Sequence, residues 1–535
     1  MRRHEVGVWW LAVFFTAANA AINPVDYLWP IPYSVKCDPG LQYGIDDVSF
    51  TIRGSGQGGE LPTLTSAFER YRPFIVPDTM KAKNPNVKLG VGMLEMLEVN
   101  VVSNDETLAL ETDESYTLEF KNETTPGVYS AILTAPTVYG ALRGIETFSQ
   151  LVHQDDTGAY YVSVCTISDK PRFQFRSILM DTARHFIPLE VIYRHLDAMA
   201  YNKFNVLHWH IVDDQSFPYQ SYLFPDLSGK GAYTQNHVYS QSDVAAVIEF
   251  AKERGIRVIP EFDTPGHSAS WGKGQPNLLT SCYKANTTIM TGHGPINPIL
   301  ESTYTFLESF YKEISDVFPD QYLHLGGDEV SFACWESNPD IQKWMATKNL
   351  TKYAKLEEYY EQRLIDIVDK LGKSYLVWQE IFDNGVEIRN DTVISVWKSK
   401  PPYVEEMENV TAAGYKVILS ACWYLNIISY GQDWTKYYAC DPQNFNGTEA
   451  QKELVMGGSA ALWAEYVDGT NLLSRLWPRA SAVGEKLWSQ YASTTDSHIA
   501  APRLHNHRCR LLRRGVPAEP VEGPSFCPQE YVPSY

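Results

Sequence analysis

Apolar positions follow two different rhythms along this chain. Up to about residue 168, short stretches such as 48–52, 98–102 and 116–120 alternate apolar and polar residues, the pattern of strands buried on one face. Segments 65–71 and 139–152 instead repeat their apolar residues at helical spacing. The glycine-rich stretch 54–59 (GSGQGG) lacks the Lys-Ser/Thr of a phosphate loop and precedes no clear helix, so a flexible turn is expected there. Residues 21–168 are therefore predicted to form a small α+β domain with no concentrated chemistry.

From Phe173 a β-rich run and a helical stretch alternate. The runs are 176–180, 205–212, 257–262, 322–325, 374–378, 393–397, 416–419 and 459–463. Between them, Ile192/Leu196/Met199, Val244/Val247/Ile248/Ala251 and Tyr304/Leu307/Phe310/Tyr311/Ile314 each mark one face of a helix. Ser240 and Asp243 have the spacing of a capping box for the second. Eight such units predict an α/β fold, a (β/α)8 TIM barrel with insertions spanning 169–535. A doubly wound open sheet would show the same alternation, and strand counting does not separate the two.

Charge and composition narrow the class. With 45 Lys+Arg against 64 Asp+Glu, the net charge of −19 argues against a nucleic-acid partner. At the N-terminus, Arg2 and Arg3 precede a short apolar run, and Ala18-Asn19-Ala20 offers a cleavage site, so 1–20 is expected to be a secretory signal peptide. No later stretch reaches the ~20 apolar residues a span requires, and no membrane span is expected. Eight cysteines and sequons at Asn122, Asn286, Asn349, Asn390, Asn409 and Asn446 agree with export. A glycosylated protein, lysosomal or secreted, is the expectation.

A barrel enzyme works at the carboxyl ends of its strands. Here those ends carry Asp181 and Arg184, Asp213-Asp214, Asp263 with His267, Asp328-Glu329, Trp378-Gln379-Glu380, Trp397, Trp423-Tyr424-Leu425-Asn426, and Trp463 with Glu465. Aromatic rings pack on the apolar faces of sugars, while carboxylates and Arg pair with hydroxyls. Cleaving a glycosidic bond needs an acid for the leaving oxygen and a partner for an oxocarbenium-like centre. These residues supply both. There is no Ser-His arrangement, no catalytic thiol spacing and no dinucleotide fingerprint.

The strongest motif is His324-Leu325-Gly326-Gly327-Asp328-Glu329-Val330, where two glycines allow a sharp turn before two adjacent carboxylates. With Asp181-Thr-Ala-Arg184-His185, the stretch 205–214, Glu261-Phe-Asp-Thr-Pro-Gly-His267, Trp378-Gln-Glu380, Trp423-Tyr-Leu-Asn426 and 476–488 (LWPRASAVGEKLW), it resembles the β-N-acetylhexosaminidases of glycoside hydrolase family 20 over nearly the whole mature chain. Within that family the likeness is greatest to the lysosomal α and β subunits.

The resemblance implies a retaining, exo-acting enzyme that removes terminal GlcNAc or GalNAc by substrate-assisted catalysis, with no cofactor and no metal. It implies that Glu329 is the acid and then the base, and that Asp328 holds the acetamido N–H. Tyr424 would donate to the acetamido carbonyl within a pocket walled by Trp378, Trp397 and Trp463. Arg184, Glu465 and Asn426 would contact the sugar, and Asp213 with His267 would stand behind Glu329. His208 and His210, although an H-x-H pair, are expected to be mostly structural lumen residues. In α-type subunits Tyr-Leu-Asn is followed by Arg, which favours 6-sulfated sugars, whereas β-type subunits carry Asp-Leu. The pair here is Asn426-Ile427, so neutral sugars are expected. The family pattern also implies the disulfides Cys282–Cys334 and Cys509–Cys527, leaving Cys422–Cys440 and Cys37–Cys165, and a homodimer or a heterodimer with a related subunit. Two alternatives compete: a metal-dependent amidohydrolase using His208, His210, His267 and an Asp, and a lectin-like protein that binds sugars without cleaving them.

Overall fold

The computed structural model describes residues 23–46, 48–76, 92–154, 159–284, 287–400 and 402–527. The expected signal peptide and the sequon Asn286 lie outside these residues.

Seven strands come first: β1 (Ser34–Gly44), β2 (Thr51–Ser55), β3 (Met93–Val101), β4 (Tyr116–Asn122), β5 (Val128–Ala135), β6 (Val152–Gln154) and β7 (Tyr160–Asp169). They form one mixed sheet ordered β1-β3-β5-β4-β7-β6, with β2 on the flank of β3 and β1 also pairing β7. Cys37 faces Cys165 across β1 and β7, and the two are disulfide-bonded.

The glycine-rich stretch differs from expectation. It is not a flexible turn with nothing helical after it: helix Pro62–Ile75 starts three residues beyond Gly59, and Pro62 opens it with the backbone angle a first helical turn needs. A Cβ on Gly54 would meet the Gly59 carbonyl, and Gly56 has φ +78°, so the glycines permit a close-packed turn. The helix predicted over 65–71 thus starts earlier than its apolar periodicity shows, close behind the glycines.

The eight strands that follow β7 and pair with one another close into a barrel. They are β8 (Phe175–Asp181), β9 (Val206–Val212), β10 (Arg257–Phe262) and, after a hairpin of β11 (Leu279–Tyr283) and β12 (Met290–Ile296), β13 (Tyr322–His324), β14 (Ser374–Trp378), β15 (Val393–Val396), β16 (Lys416–Leu419) and β17 (Val455–Leu462). All eight pair in parallel, and β17 returns to β8. The open sheet is thereby excluded. Helices Leu189–Tyr201, Gln241–Lys252 and Glu301–Val317 carry the predicted apolar faces, and Ser240 with Asp243 forms the predicted capping box.

Inside the barrel, Phe175, Val206, Ile259, Tyr322, Leu376, Val393 and Ile418, one from each of seven strands, form a separate apolar cluster with Met456 of the eighth against it. The lumen is therefore a packed floor, not a pore.

Helix Val138–Leu151 has every residue buried. It packs on the first sheet through Gly144, where a Cβ would strike Leu133. On its other side Arg143 donates to the carbonyls of Arg254 and Gly255, and Glu146 pairs with Arg514. Glu114 adds a second tie, binding Arg143 of the first unit and Arg176 at the base of the barrel. The remaining disulfides join Cys282–Cys334, Cys422–Cys440 and Cys509–Cys527.

Candidate active site

The loop after β13 is built by its glycines. Gly326 (φ +74°) and Gly327 (φ +90°) turn the chain off the strand in a conformation that side chains resist. A Cβ on Gly326 would fall on the Asp263 carboxylate, and one on Gly327 would press on Ile381. The turn delivers Asp328 and Glu329 into different surroundings: the Asp328 side chain is 11% exposed and that of Glu329 59%. Glu329 also holds φ +53°, an uncommon backbone state for a residue with a Cβ.

Burial raises the pKa of Asp328, and His267 opposes the shift. Burial, followed by the charge of Asp328, pushes the facing Asp263 well above the carboxylate range. Two facing carboxyls disfavour a second charge, and Asp263 Oδ1 accepts the Gly327 N–H at 2.9 Å. Asp328 Oδ1 is buried without a partner, an acceptor turned to the site.

Behind the pair stands His267, with φ +49°. Its Nε2 is 3.8 Å from Asp328 and 3.6 Å from Glu329, and its Nδ1 donates to Asp213 at 3.2 Å. Burial disfavours the charged ring, but Asp213 and Asp328 outweigh it and lift its pKa to about 9. Arg184 bridges Asp181 (3.1 Å) and Asp213 (2.8 Å) and lies over the Trp463 ring, 4.9 Å from its centre.

Across the mouth the aromatic residues meet. Trp378 lies 6.5 Å from Trp397 and 6.1 Å from Trp463, and Trp397 stacks on Tyr424 at 6.2 Å. Tyr424 is brought there by an isolated bridge to Ala461 of β17, in a loop tethered by Cys422–Cys440. The indole N–H of Trp397 donates to Glu380 at 2.9 Å, and that of Trp378 to Glu261 at 2.8 Å. Glu465 is exposed on the loop after β17, and Asn426 is half-buried with Oδ1 unpartnered. The structure thus brings Asp328, Glu329, His267, Asp213, Arg184, Trp378, Trp397, Tyr424 and Trp463 to one mouth.

Glu261, Asp263, His210 and Glu380 take larger parts than their sequence suggested. Glu261 and His210 pair in register on β10 and β9. The signal that could have found them is polar residues at alternate, lumen-facing positions of adjacent strands. His210, expected to be a mostly structural lumen residue, donates to Asp213 at 2.8 Å. The histidines a metal-dependent hydrolase would share are not gathered: His208 sits with Glu261 and His324, whereas His267 sits with Asp213, Asp263 and Asp328. Where these side chains donate, they already face carboxylates.

Residues 173–491 match the family described as Glycosyl hydrolase family 20, catalytic domain, and residues 28–151 match one described as beta-acetyl hexosaminidase like. The chain is 50% identical to the beta-hexosaminidase subunit beta of Homo sapiens, over 96% of this chain and 92% of that one. It is 47% identical to the beta-hexosaminidase subunit alpha of Rattus norvegicus, over 98% of each. Among solved structures, a Flavobacterium johnsoniae chitobiase superposes with a TM-score of 0.77 at 27% identity, covering 92% of this chain and 73% of that one.

Proposed function

The chain belongs to glycosyl hydrolase family 20 and is an exo-acting β-N-acetylhexosaminidase, a premise from which we propose how its residues divide the work. The substrate's acetamido oxygen attacks the anomeric carbon as the bond to the leaving oxygen breaks and that oxygen takes the Glu329 proton. The acetamido N–H is held by Asp328, whose charge stabilises the oxazolinium ring. Water then adds to the anomeric carbon from the vacated face and gives its proton to Glu329, so configuration is retained.

The observation that carries this division is the unequal exposure of the two neighbouring carboxylates. A side chain that exchanges protons with leaving group and water must reach both, as Glu329 does. One that holds a neutral amide and then a cation works best dry and fixed, as Asp328 is. Trp378, Trp397, Trp463 and Tyr424 form the acetamido pocket, while Arg184, Glu465 and Asn426 take sugar hydroxyls.

Ile427, next to Asn426, is exposed and offers no charge to a sulfate, so neutral GlcNAc and GalNAc termini are the substrates. Ile427, Ile428 and Tyr430 leave an exposed apolar patch on this loop, which we assign to dimer formation with a second copy or a related subunit. Four disulfides suit the oxidising secretory route, with the lysosome or the outside of the cell as destination. Among the described residues no helix is long and apolar enough to cross a membrane.

The test is hydrolysis of a chromogenic β-GlcNAc glycoside and its 6-sulfated analogue by wild type, Glu329→Gln and Asp328→Asn. Turnover of the neutral substrate, lost by at least ~100-fold in both variants, supports the division. Full activity in Glu329→Gln would place the acid elsewhere, and binding of GlcNAc without turnover by wild type would favour a lectin.

A further inference from the structure

Directly beneath the site, the lumen changes character. Above its apolar floor lies a layer of buried titratable groups: Glu261, His208, His210 and His324. Glu261 is its hub. Oε1 accepts the Trp378 indole N–H at 2.8 Å, and Oε2 accepts from His208 Nε2 at 2.7 Å. His210 stands between two carboxylates: Nε2 donates to Asp213 Oδ2 at 2.8 Å, and Nδ1 lies 2.9 Å from Glu261 Oε2, an ion-pair contact. His324 is not a second bridge, because its Nδ1 accepts the Gly326 N–H at 3.1 Å. Asp213 then passes its other oxygen to His267, which faces Asp328 and Glu329. Negative and positive groups alternate from the barrel's centre to its mouth.

We infer that His210 and Glu261 are positioning residues for the acid–base step. His210, wedged between two carboxylates, fixes the Asp213 that orients His267 against Glu329, and Glu261 fixes both His210 and the Trp378 wall. Two observations carry this beyond packing. The floor shows that this lumen closes with Phe, Tyr, Ile, Leu and Val, whereas Glu261 and its histidines lie in the layer the site rests on. Glu261 also touches both halves of the machinery, the acetamido wall and the relay behind the acid, neither of which it could hold by filling space. Burial opposes the charge on His210, but Glu261 and Asp213 outweigh it and lift its pKa to about 10.

The inference rests on Glu329 being the acid, and its test separates the two. A 4-methoxyphenyl β-GlcNAc glycoside needs its leaving oxygen protonated, whereas the 2,4-dinitrophenyl glycoside does not. Glu329→Gln serves as the reference and should lose the first substrate selectively; equal losses on both would remove Glu329 as acid and the inference with it. Given that selectivity, His210→Gln, which keeps a donor for Asp213 but neither the charge nor the contact to Glu261, should lose about 30-fold on the methoxyphenyl substrate and about threefold on the dinitrophenyl one. Glu261→Gln, which removes the charge and keeps one acceptor oxygen, that for Trp378, should show the same selectivity. It carries the test should His210→Gln fail to fold. Equal losses on both substrates in folded variants would overturn the inference and leave these residues a packing role.

Discussion

The carboxylate of Asp263 fills the space in which a Cβ on Gly326 would stand, and it holds the amide of Gly327. One acidic residue thus shapes the catalytic turn and faces Asp328. Gly326→Ala must move Asp263 or strain a left-handed backbone, at a cost of at least ~2 kcal/mol. Because a displacement of ~1 Å can cost ~100-fold in rate, the variant should lose about that much kcat while the fold persists. Kinetics paired with circular dichroism decide this; near-normal kcat would mean the turn tolerates the methyl group.

His195 is buried near Trp477 with neither ring nitrogen partnered. Burial drops its pKa from 6.5 to about 3. Below pH 6.5 the unfolded chain therefore takes up a proton that the folded protein refuses until about pH 3, and stability falls as pH falls through that window. At pH 4.5 the penalty is about 2–3 kcal/mol. His195→Leu should lose less stability than wild type between pH 7 and pH 4.5 by that amount, as read from denaturant unfolding at both pH values. Parallel losses would show that the ring is protonated in the fold. His210 and His267 act in the opposite sense. Their folded pKa values are raised, so their stabilisation is complete below pH 6.5 and disappears as pH rises through about 9 to 10.

Much of the architecture was legible because each barrel strand is a short apolar run bounded by turn residues, and each run ends on a residue that a strand interior would not choose. Asp328, Glu329, Trp378, Trp397 and Trp463 were found through position alone. What stayed hidden was lateral. That Glu261 meets His210 depends on the register of β10 against β9, and that Asp263 meets Asp328 depends on the turn at Gly326 and Gly327. Neither contact joins residues near in sequence. The stretch 54–59 misled for a related reason: glycines that permit close packing have the same letters as glycines that permit movement.

Glu114 accepts from Arg143 Nε at 2.8 Å, Arg176 Nη2 at 2.5 Å and Asn205 Nδ2 at 3.2 Å. Glu114→Ala would leave two buried guanidinium groups without their carboxylate, costing about 3–5 kcal/mol. The lifetime of activity at elevated temperature should shorten while kcat of the surviving enzyme stays near wild type, since Glu114 lies at the base of the barrel. A fall in kcat without loss of stability would contradict this.

Ile427 is two-thirds exposed beside Asn426. Ile427→Arg places a cation where a 6-sulfate would be recognised, and a charge-assisted hydrogen bond is worth about 1.5 kcal/mol or more. The ratio of kcat/KM for the 6-sulfated over the neutral substrate should rise about tenfold. An unchanged ratio would mean that the loop does not present this position to the sugar.

Helix Val138–Leu151, with no residue open to solvent, belongs equally to the two bodies it lies between. Neither has a finished surface without the other: freed from the barrel, the helix would lose the partners of its buried Arg143 and Glu146, and the barrel alone would expose the carbonyls of Arg254 and Gly255 that Arg143 now covers. The seam between them marks a change of architecture, not a place to cut. A barrel expressed on its own should precipitate, and the intact chain should melt in a single step.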